Sequence, residues 1–169
     1  GPDRDHTVHL DLNGQLQSGR RYAYRFIYRN VVSRTGRCRT MPKETAFIWR
    51  LRLGVITCQD YTNGYYGALA RLAAENVDFV VHLGDAIYET VRDPRFQSNP
   101  YPDRVLTLPS GQKAVTGLED YRYLYRQYAS DPLAQLLREQ HTFITIWDDH
   151  ETANDSYWDY ERDTLYPLA

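Results

Sequence analysis

The sequence is poor in the features that assign a protein to a special class. Only 2 of its 169 residues are cysteine, and Cys38 and Cys58 lack the short spacing of a zinc or redox pair. No apolar run approaches the roughly 20 residues that span a bilayer, and no apolar signal core lies near the N-terminus. The 20 basic and 22 acidic side chains give a net charge of −2, which does not favour nucleic acid. The sequence therefore contains no cysteine-only metal cage, no transmembrane signal and no nucleic-acid signal.

The first part of the chain has the pattern of antiparallel strands. Hydrophobic residues alternate over 6–12, 20–28 and 33–41, with turn signals between these runs. Tyr22, at the entry to a strand, resembles the tyrosine corner of immunoglobulin-like and fibronectin-like domains. Such a sandwich needs roughly seven strands, more than this segment supplies. We therefore expect residues 1–43 to be the C-terminal part of an N-terminal β-sandwich domain.

Beyond residue 43 the pattern changes to strand, helix, strand. Near-continuous apolar runs cover 51–58 and 77–83, and residues 65–76 between them carry leucine and alanine at helical spacing. This order predicts a βαβ unit with a parallel strand pair, and hence an α/β fold flanked by helices.

Two further helices are predicted after a loop rich in proline and asparagine. The first carries Tyr121, Leu124, Tyr125 and Tyr128 at helical spacing, so we expect this face to be buried. The second is expected to begin at Asp131, where an N-cap acid precedes a proline.

Polar side chains follow all three predicted strands, the third of which covers 142–147. The carboxyl ends of parallel strands lie along one edge of the sheet, where ligands bind. The candidate metal donors at this edge are Cys58, Asp60, Asp85, Tyr88, Asp149 and His150.

The types of these residues indicate two kinds of ion. Asp85 and Tyr88 can point the same way across one turn, and a phenol becomes a ligand only where a strong Lewis acid removes its proton. A thiolate from Cys58 favours a transition metal, whereas oxygen donors from Asp149 and Asn154 suit a harder ion such as calcium. Acidic side chains crowded at one edge repel one another, and bound cations would compensate their negative charge.

Three ordered motifs resemble the PhoD family of alkaline phosphatases, within the calcineurin-like metallophosphoesterase superfamily. TCQD at 57–60 is similar to the first motif of that family, with cysteine in place of the usual aspartate. GDAIYE at 84–89 matches the Gly-Asp-x-x-Tyr motif, and WDDHE at 147–151 stands where many relatives have Gly-Asn-His-Glu. The N-terminal segment resembles the end of the small β-sandwich domain of the family.

The resemblance implies a dinuclear metal site. Cys58, Asp85 and Tyr88 would hold iron (Fe³⁺), and Asp85 would bridge to calcium (Ca²⁺), with other divalent metals left open. Asp149 or Asn154 would serve the second ion, and Asp149 is favoured because it aligns with the asparagine of Gly-Asn-His-Glu.

The resemblance also implies the reaction. A metal-activated hydroxide would attack a phosphate ester in line, and His150 would contact the phosphate or assist the leaving group. Secreted, periplasmic or cell-surface location is the expectation that goes with the family.

Four acids are candidates for positions around the ligands: Asp60, Glu89, Asp148 and Glu151. Asp60 is equally a candidate ligand, and Glu89 and Glu151 could either orient the loops or simply be solvated. Asp148 is expected to cap a helix, because aspartate often does so. Several aromatic side chains could either line a substrate cleft or pack in the interior; they are Tyr65, Tyr66, Tyr101, Tyr157 and Trp158.

We expect residues 44–169 to be the N-terminal half of the phosphatase domain. Members of the family bring further ligands on later strands, so the remainder of the polypeptide would complete both the core and the site. Two alternatives stay open at this point: a phospholipase D-type phosphodiesterase, and a non-catalytic truncated module that acts through an exposed sheet edge or aromatic surface.

Overall fold

The computed structural model describes residues 1–156, so Tyr157 and Trp158 lie outside the described residues. The chain has the predicted mixed α/β fold. The predicted tyrosine-corner contact is present near the N-terminus, where the hydroxyl of Tyr22 accepts a hydrogen bond from the backbone N–H of Gln17 at 2.8 Å.

The N-terminal segment forms two small antiparallel pairs. Strand β1 (Arg21–Tyr24) pairs with β4 (Gly36–Arg39), and β2 (Ile27–Tyr28) pairs with β3 (Val31–Val32). The β1–β4 pair is attached to the rest of the chain, because the Arg39 N–H donates to the Thr142 hydroxyl at 2.7 Å.

The strand predicted over 6–12 is wrong. This segment has no regular structure, and Val8, Leu10 and Leu12 are exposed. An extended segment gains little stability without a neighbouring strand, and the described residues supply none here.

The remaining elements follow the predicted order, with shorter bounds than the apolar runs suggested. They are β5 (Leu53–Ile56), α1 (Gly67–Ala73), β6 (Phe79–His82), α2 (Leu118–Ser130), α3 (Pro132–Gln140) and β7 (Phe143–Thr145). The three strands are parallel and lie in the order β5-β6-β7. Asp131 caps α3 as predicted, because its carboxylate accepts from the backbone N–H groups of Leu133 and Ala134.

One face of the parallel sheet is covered by helices, and the other is largely exposed apart from Phe79, which is buried. Val80 on β6 packs with Leu69 of α1 and Leu137 of α3, and all three are buried. On the opposite face Val55 and Ile144, which flank the same position of β6, are 58% and 42% exposed. Parallel sheets normally have both faces covered.

Helix α2 packs against the long loop that follows β6. Leu124 and Tyr128 are buried in a cluster with Ile87 and Leu108 of that loop. Tyr125, which was expected on the buried face, is instead 44% exposed. The loop supplies a narrow apolar surface, so it covers only part of the helix face.

Arg104 joins that loop to the helices. Its guanidinium forms a buried ion pair with Asp131 and lies 4.3 Å from the ring centroid of Tyr61 and 4.6 Å from that of Tyr65. A guanidinium over aromatic faces is stabilised by the ring quadrupoles. This contact fixes the long loop after β6 against the loop after β5, near the carboxyl edge of the sheet.

Within residues 1–156, no helix has the length and apolar character needed to cross a membrane.

We predict that Arg104→Ala destabilises the chain by about 3–5 kcal/mol, because it leaves the buried carboxylate of Asp131 without its counter-charge. The matched control is Arg71→Ala, which removes an exposed i,i+4 pair with Glu75 and should cost less than about 1 kcal/mol. Urea unfolding followed by circular dichroism compares the two variants. Equal losses would contradict the role assigned to Arg104.

Candidate functional site

The loops after β6 and β7 are in direct contact at Gly84. This glycine has φ +102°, and a Cβ on it would collide with the backbone nitrogen of Asp148. Only glycine allows this backbone conformation together with so close an approach. The contact brings the residues that follow both strands to one place.

The loop after β5 is bonded to the loop after β6 by backbone hydrogen bonds. The N–H of Cys58 donates to the carbonyl of Gly84 at 3.2 Å, and the N–H of Gln59 donates to the carbonyl of Asp85 at 3.0 Å. Cys58 and Asp85 both adopt left-handed backbone conformations, with φ 53° and 55°. This conformation is costly for cysteine and better tolerated by aspartate, and strained residues of this kind concentrate at functional sites.

The carboxylate of Asp85 lies at the centre of the site. Its Oδ2 is 3.3 Å from the Cys58 sulfur and 3.5 Å from the Tyr88 hydroxyl. Its Oδ1 is buried and has no hydrogen-bond partner among the described residues. Burial raises the pKa of Asp85, and the hydrogen bond from Cys58 opposes that shift. A cation at this position would satisfy the lone oxygen and offset the cost of the buried charge.

Tyr88 is buried next to this carboxylate. Burial is the largest cause that raises the pKa of its hydroxyl, and the nearby Asp85 and Cys58 raise it further. The phenol therefore stays protonated at neutral pH unless a strong Lewis acid removes the proton. The donor set of thiol, carboxylate and phenol fits an iron-like ion.

Asp149 and His150 approach Asp85 from the loop after β7, in a 3₁₀ helix over Asp149–Glu151. One donor atom from each of these three side chains lies within 4.8 Å of the other two. The donors predicted from separate strands are therefore adjacent in space.

His150 is buried and held in a defined orientation. Its Nδ1 is 2.7 Å from Oε2 of Glu89, and its ring is stacked 4.1 Å from that of Tyr88 and lies 4.9 Å from that of Phe96. The other Glu89 oxygen accepts from the backbone N–H of Asn154 at 2.8 Å. Because Nδ1 is engaged by Glu89, Nε2 is the nitrogen available to a ligand.

Glu151 connects the two loops through its carboxylate. Oε2 accepts from the backbone N–H groups of Asp85 at 2.9 Å and Asp148 at 2.8 Å, and Oε1 accepts from that of Ala86 at 2.5 Å. Asp148 caps the 3₁₀ helix, because its side chain accepts from the Asp149 N–H. Both acids therefore accept backbone hydrogen bonds that support the positions of the central residues.

The side chains of Asp60 and Asn154 are hydrogen-bonded to groups other than Asp85 in this structure. One Asp60 oxygen accepts from Thr62, and the other accepts from Gln97 at 2.7 Å. The Asn154 side chain donates to Asp155 at 2.8 Å. Asp60 therefore stabilises the loop after β5.

Phe96 and Gln97 were not among the predicted site residues. They lie in an irregular loop with no periodicity, and only the folded chain brings Phe96 against His150. No sequence signal of the kind used for the strands and helices identifies such a contact.

The parallel sheet has thiol, carboxylate, phenol and imidazole groups at its carboxyl edge, as expected from the three motifs. The chain belongs to the PhoD-like phosphatase family, as its resemblance predicted. The family model for the PhoD-like phosphatase matches residues 53–166, and the model for the PhoD-like phosphatase N-terminal domain matches residues 1–42.

Two relatives show the same similarity. Alkaline phosphatase D of Bacillus subtilis (strain 168) is 32% identical over 154 residues, which are 90% of this chain and 25% of that protein. The solved structure described as "Structure of PhoD" superposes with a TM-score of 0.81 at 28% identity, covering 99% of this chain and 31% of that one. The chain thus spans 25% of the length of the curated relative it matches.

We predict that Gly84→Ala destabilises the protein by about 1–3 kcal/mol, because alanine is strained at this φ and collides with the next loop. Gly67→Ala is the control, since a Cβ at Gly67 meets no atom within 4 Å at the start of α1. The control should be neutral or slightly stabilising. Thermal unfolding measures both, and a tolerated Gly84→Ala would contradict the close contact of the two loops.

Proposed function

We propose that this chain forms part of a metal-dependent phosphoric ester hydrolase, an alkaline phosphatase acting on phosphate monoesters or diesters. The observation that carries the proposal is the Asp85 carboxylate. It is buried, one of its oxygens lacks a partner within residues 1–156, and it faces donors from the loops after β5 and β7. A buried carboxylate in such a place is tolerable when cations compensate it.

The donor chemistry supports two different ions. Cys58, Asp85 and Tyr88 would hold iron (Fe³⁺), since the Cys58 sulfur and the Tyr88 hydroxyl both lie within hydrogen-bond distance of the same Asp85 oxygen. Asp85 would also bind a second ion, calcium (Ca²⁺), together with Asp149. Asn154 would require a side-chain rotation away from Asp155 to join that set.

In this proposal the chain's own groups position the substrate and move a proton. When bound, such cations neutralise phosphate charge and make water a stronger nucleophile. His150, oriented by Glu89, presents Nε2 to the phosphate or to the leaving oxygen. Tyr88, which is buried, packs against the His150 ring and restricts its rotation.

The proposal includes further polypeptide that covers the exposed face of the sheet. Leu53, Val55, Ile144 and Ile146 form an apolar surface on that face, each between 42% and 62% exposed. Patches of this kind mark an interaction surface, and a parallel sheet is normally covered on both sides. The curated relative is much longer than this chain. We therefore assign residues 1–43 and 44–169 to two domains, the second of which this additional polypeptide completes.

Location outside the cytoplasm is part of the same proposal and rests on the family resemblance alone.

We predict a tyrosinate charge-transfer band in the visible spectrum of the iron-loaded protein. Tyr88→Phe should abolish the band, because the phenolate is then absent, while Tyr65→Phe should retain it. Tyr65 is the control because it lies near the site but donates its hydroxyl to Asp103. Loss of the band in both variants, or in neither, would contradict the assignment of Tyr88 as a ligand.

We predict that Val55→Thr changes the stability of this chain by less than about 0.5 kcal/mol, because the side chain is already exposed. In the longer polypeptide the same change should cost about 1–3 kcal/mol, because a hydroxyl is then buried without a partner. Val80→Thr, on the covered face, should destabilise both forms. Urea unfolding of the two lengths tests this, and an equal effect of Val55→Thr in both would contradict coverage of this face.

A further inference from the structure

Three successive backbone N–H groups after β6 donate to side chains rather than to a neighbouring strand. The N–H of Gly84 donates to Nδ1 of His82 at 3.2 Å. The N–H groups of Asp85 and Ala86 donate to the two carboxylate oxygens of Glu151. The turn that carries Asp85 is therefore held by an imidazole at its start and by a carboxylate beyond it.

The His82 side chain is fixed in place by the sheet. His82 is the last residue of β6, the central strand, and it pairs with Ile56 of β5 and Thr145 of β7. Its carbonyl accepts from the N–H of Ile146 at 3.0 Å, and the residue is 1% exposed. A side chain packed in an interior of this kind keeps one rotamer, so Nδ1 stays beside Gly84.

The hydrogen bond to Gly84 assigns the tautomer of His82. A neutral imidazole has one N–H and one acceptor nitrogen. Nδ1 is the acceptor here, so the proton lies on Nε2. Burial and the nearby Arg138 lower the pKa of His82, while Glu151 opposes this shift. The ring is therefore neutral at neutral pH, which is the form that accepts the Gly84 N–H.

An imidazole at this position has a cost that an apolar side chain would avoid. Its Nε2 is buried and has no hydrogen-bond partner within residues 1–156, and a buried donor without a partner is unfavourable. The Nδ1 acceptor is what an apolar side chain could not supply. It acts on strained backbone, since Gly84 and Asp85 follow with φ of 102° and 55°.

We propose that His82 is a positioning residue for the metal-binding carboxylate of Asp85, and that it acts through the hydrogen bond from the Gly84 N–H to its Nδ1. The proposal rests on the proposed function. Without this acceptor the peptide between Leu83 and Gly84 rotates, and the strained turn relaxes. The Asp85 carboxylate then leaves the position in which its Oδ2 is 3.3 Å from the Cys58 sulfur.

The test compares His82→Asn with His82→Leu in the protein with its remaining polypeptide. Asparagine places Oδ1 as many bonds from its Cα as histidine places Nδ1, so it retains an acceptor for Gly84. Leucine keeps apolar volume and has no acceptor. His141→Leu is the control, because His141 precedes β7 at the opposite edge of the sheet and its Nε2 lies 3.2 Å from the Ala73 carbonyl.

The measurement is the dissociation constant of Fe³⁺, obtained by competition with a chelator. His82→Leu should weaken Fe³⁺ binding about tenfold or more, and His82→Asn and His141→Leu by less than about threefold, in line with the worth of groups that orient metal ligands. Urea unfolding of the metal-free variants shows whether packing explains the loss. A packing role would make Fe³⁺ affinity follow metal-free stability across the three variants, and that result would contradict the proposal.

A second measurement needs no substitution. The ¹⁵N chemical shifts of an imidazole ring distinguish its protonated nitrogen from its acceptor nitrogen. In the wild type, His82 should carry its proton on Nε2. A proton on Nδ1 would overturn the proposal, because Nδ1 could then not accept the Gly84 N–H.

Equal Fe³⁺ affinity in His82→Leu and the wild type would also overturn the proposal. So would equal losses in His82→Leu and His82→Asn, because the acceptor would then not be the group that matters. A wild-type protein that binds no metal would instead overturn the proposed function, so the two failures are distinguishable.

Discussion

The buried carboxylate of Asp85 is the group around which the rest of the site is arranged. It leaves β6 immediately after Gly84, whose lack of a side chain lets the next loop approach. The Glu151 carboxylate accepts a hydrogen bond from the Asp85 N–H. The carbonyl of Asp85 accepts a hydrogen bond from the N–H of Gln59, in the loop after β5. Three loops thus share one short backbone segment. An uncompensated charge at this point would be unfavourable, so the arrangement favours a cation there.

The parallel sheet is packed against helices on one face only. Helices α1 and α3 cover one face, and Arg104 fixes the long loop near the edge. The opposite face is apolar and, apart from Phe79, largely exposed. The loops that follow the three strands are held together by backbone hydrogen bonds and by Glu151. Further polypeptide on the open face would stabilise the sheet. It would also lie near the polar edge, because the loops of that edge directly follow the strands of the sheet.

Local patterns predicted most of the architecture. The apolar runs identified β5, β6 and β7, and the aspartate-proline pair identified the start of α3. Family motifs indicated which polar residues meet after the strands. The patterns failed where contacts between distant parts of the chain determine the structure. Residues 6–12 alternate in hydrophobicity but have no neighbouring strand among the described residues. Tyr125 is exposed because the loop surface that covers Tyr128 does not reach it. The contact of Phe96 with His150 arises between irregular loops, which carry no periodic signal.

The central claim is that Asp85 is the shared ligand of a metal site. The most direct measurement is metal content by plasma mass spectrometry on the protein with its remaining polypeptide, in the wild type, Asp85→Asn and Asp60→Asn. Asp60 is the matched control because it is a nearby acid whose oxygens are engaged by Thr62 and Gln97. The account predicts near-stoichiometric metal in the wild type and Asp60→Asn and loss in Asp85→Asn. Full metal content in Asp85→Asn, or none in the wild type, would contradict it.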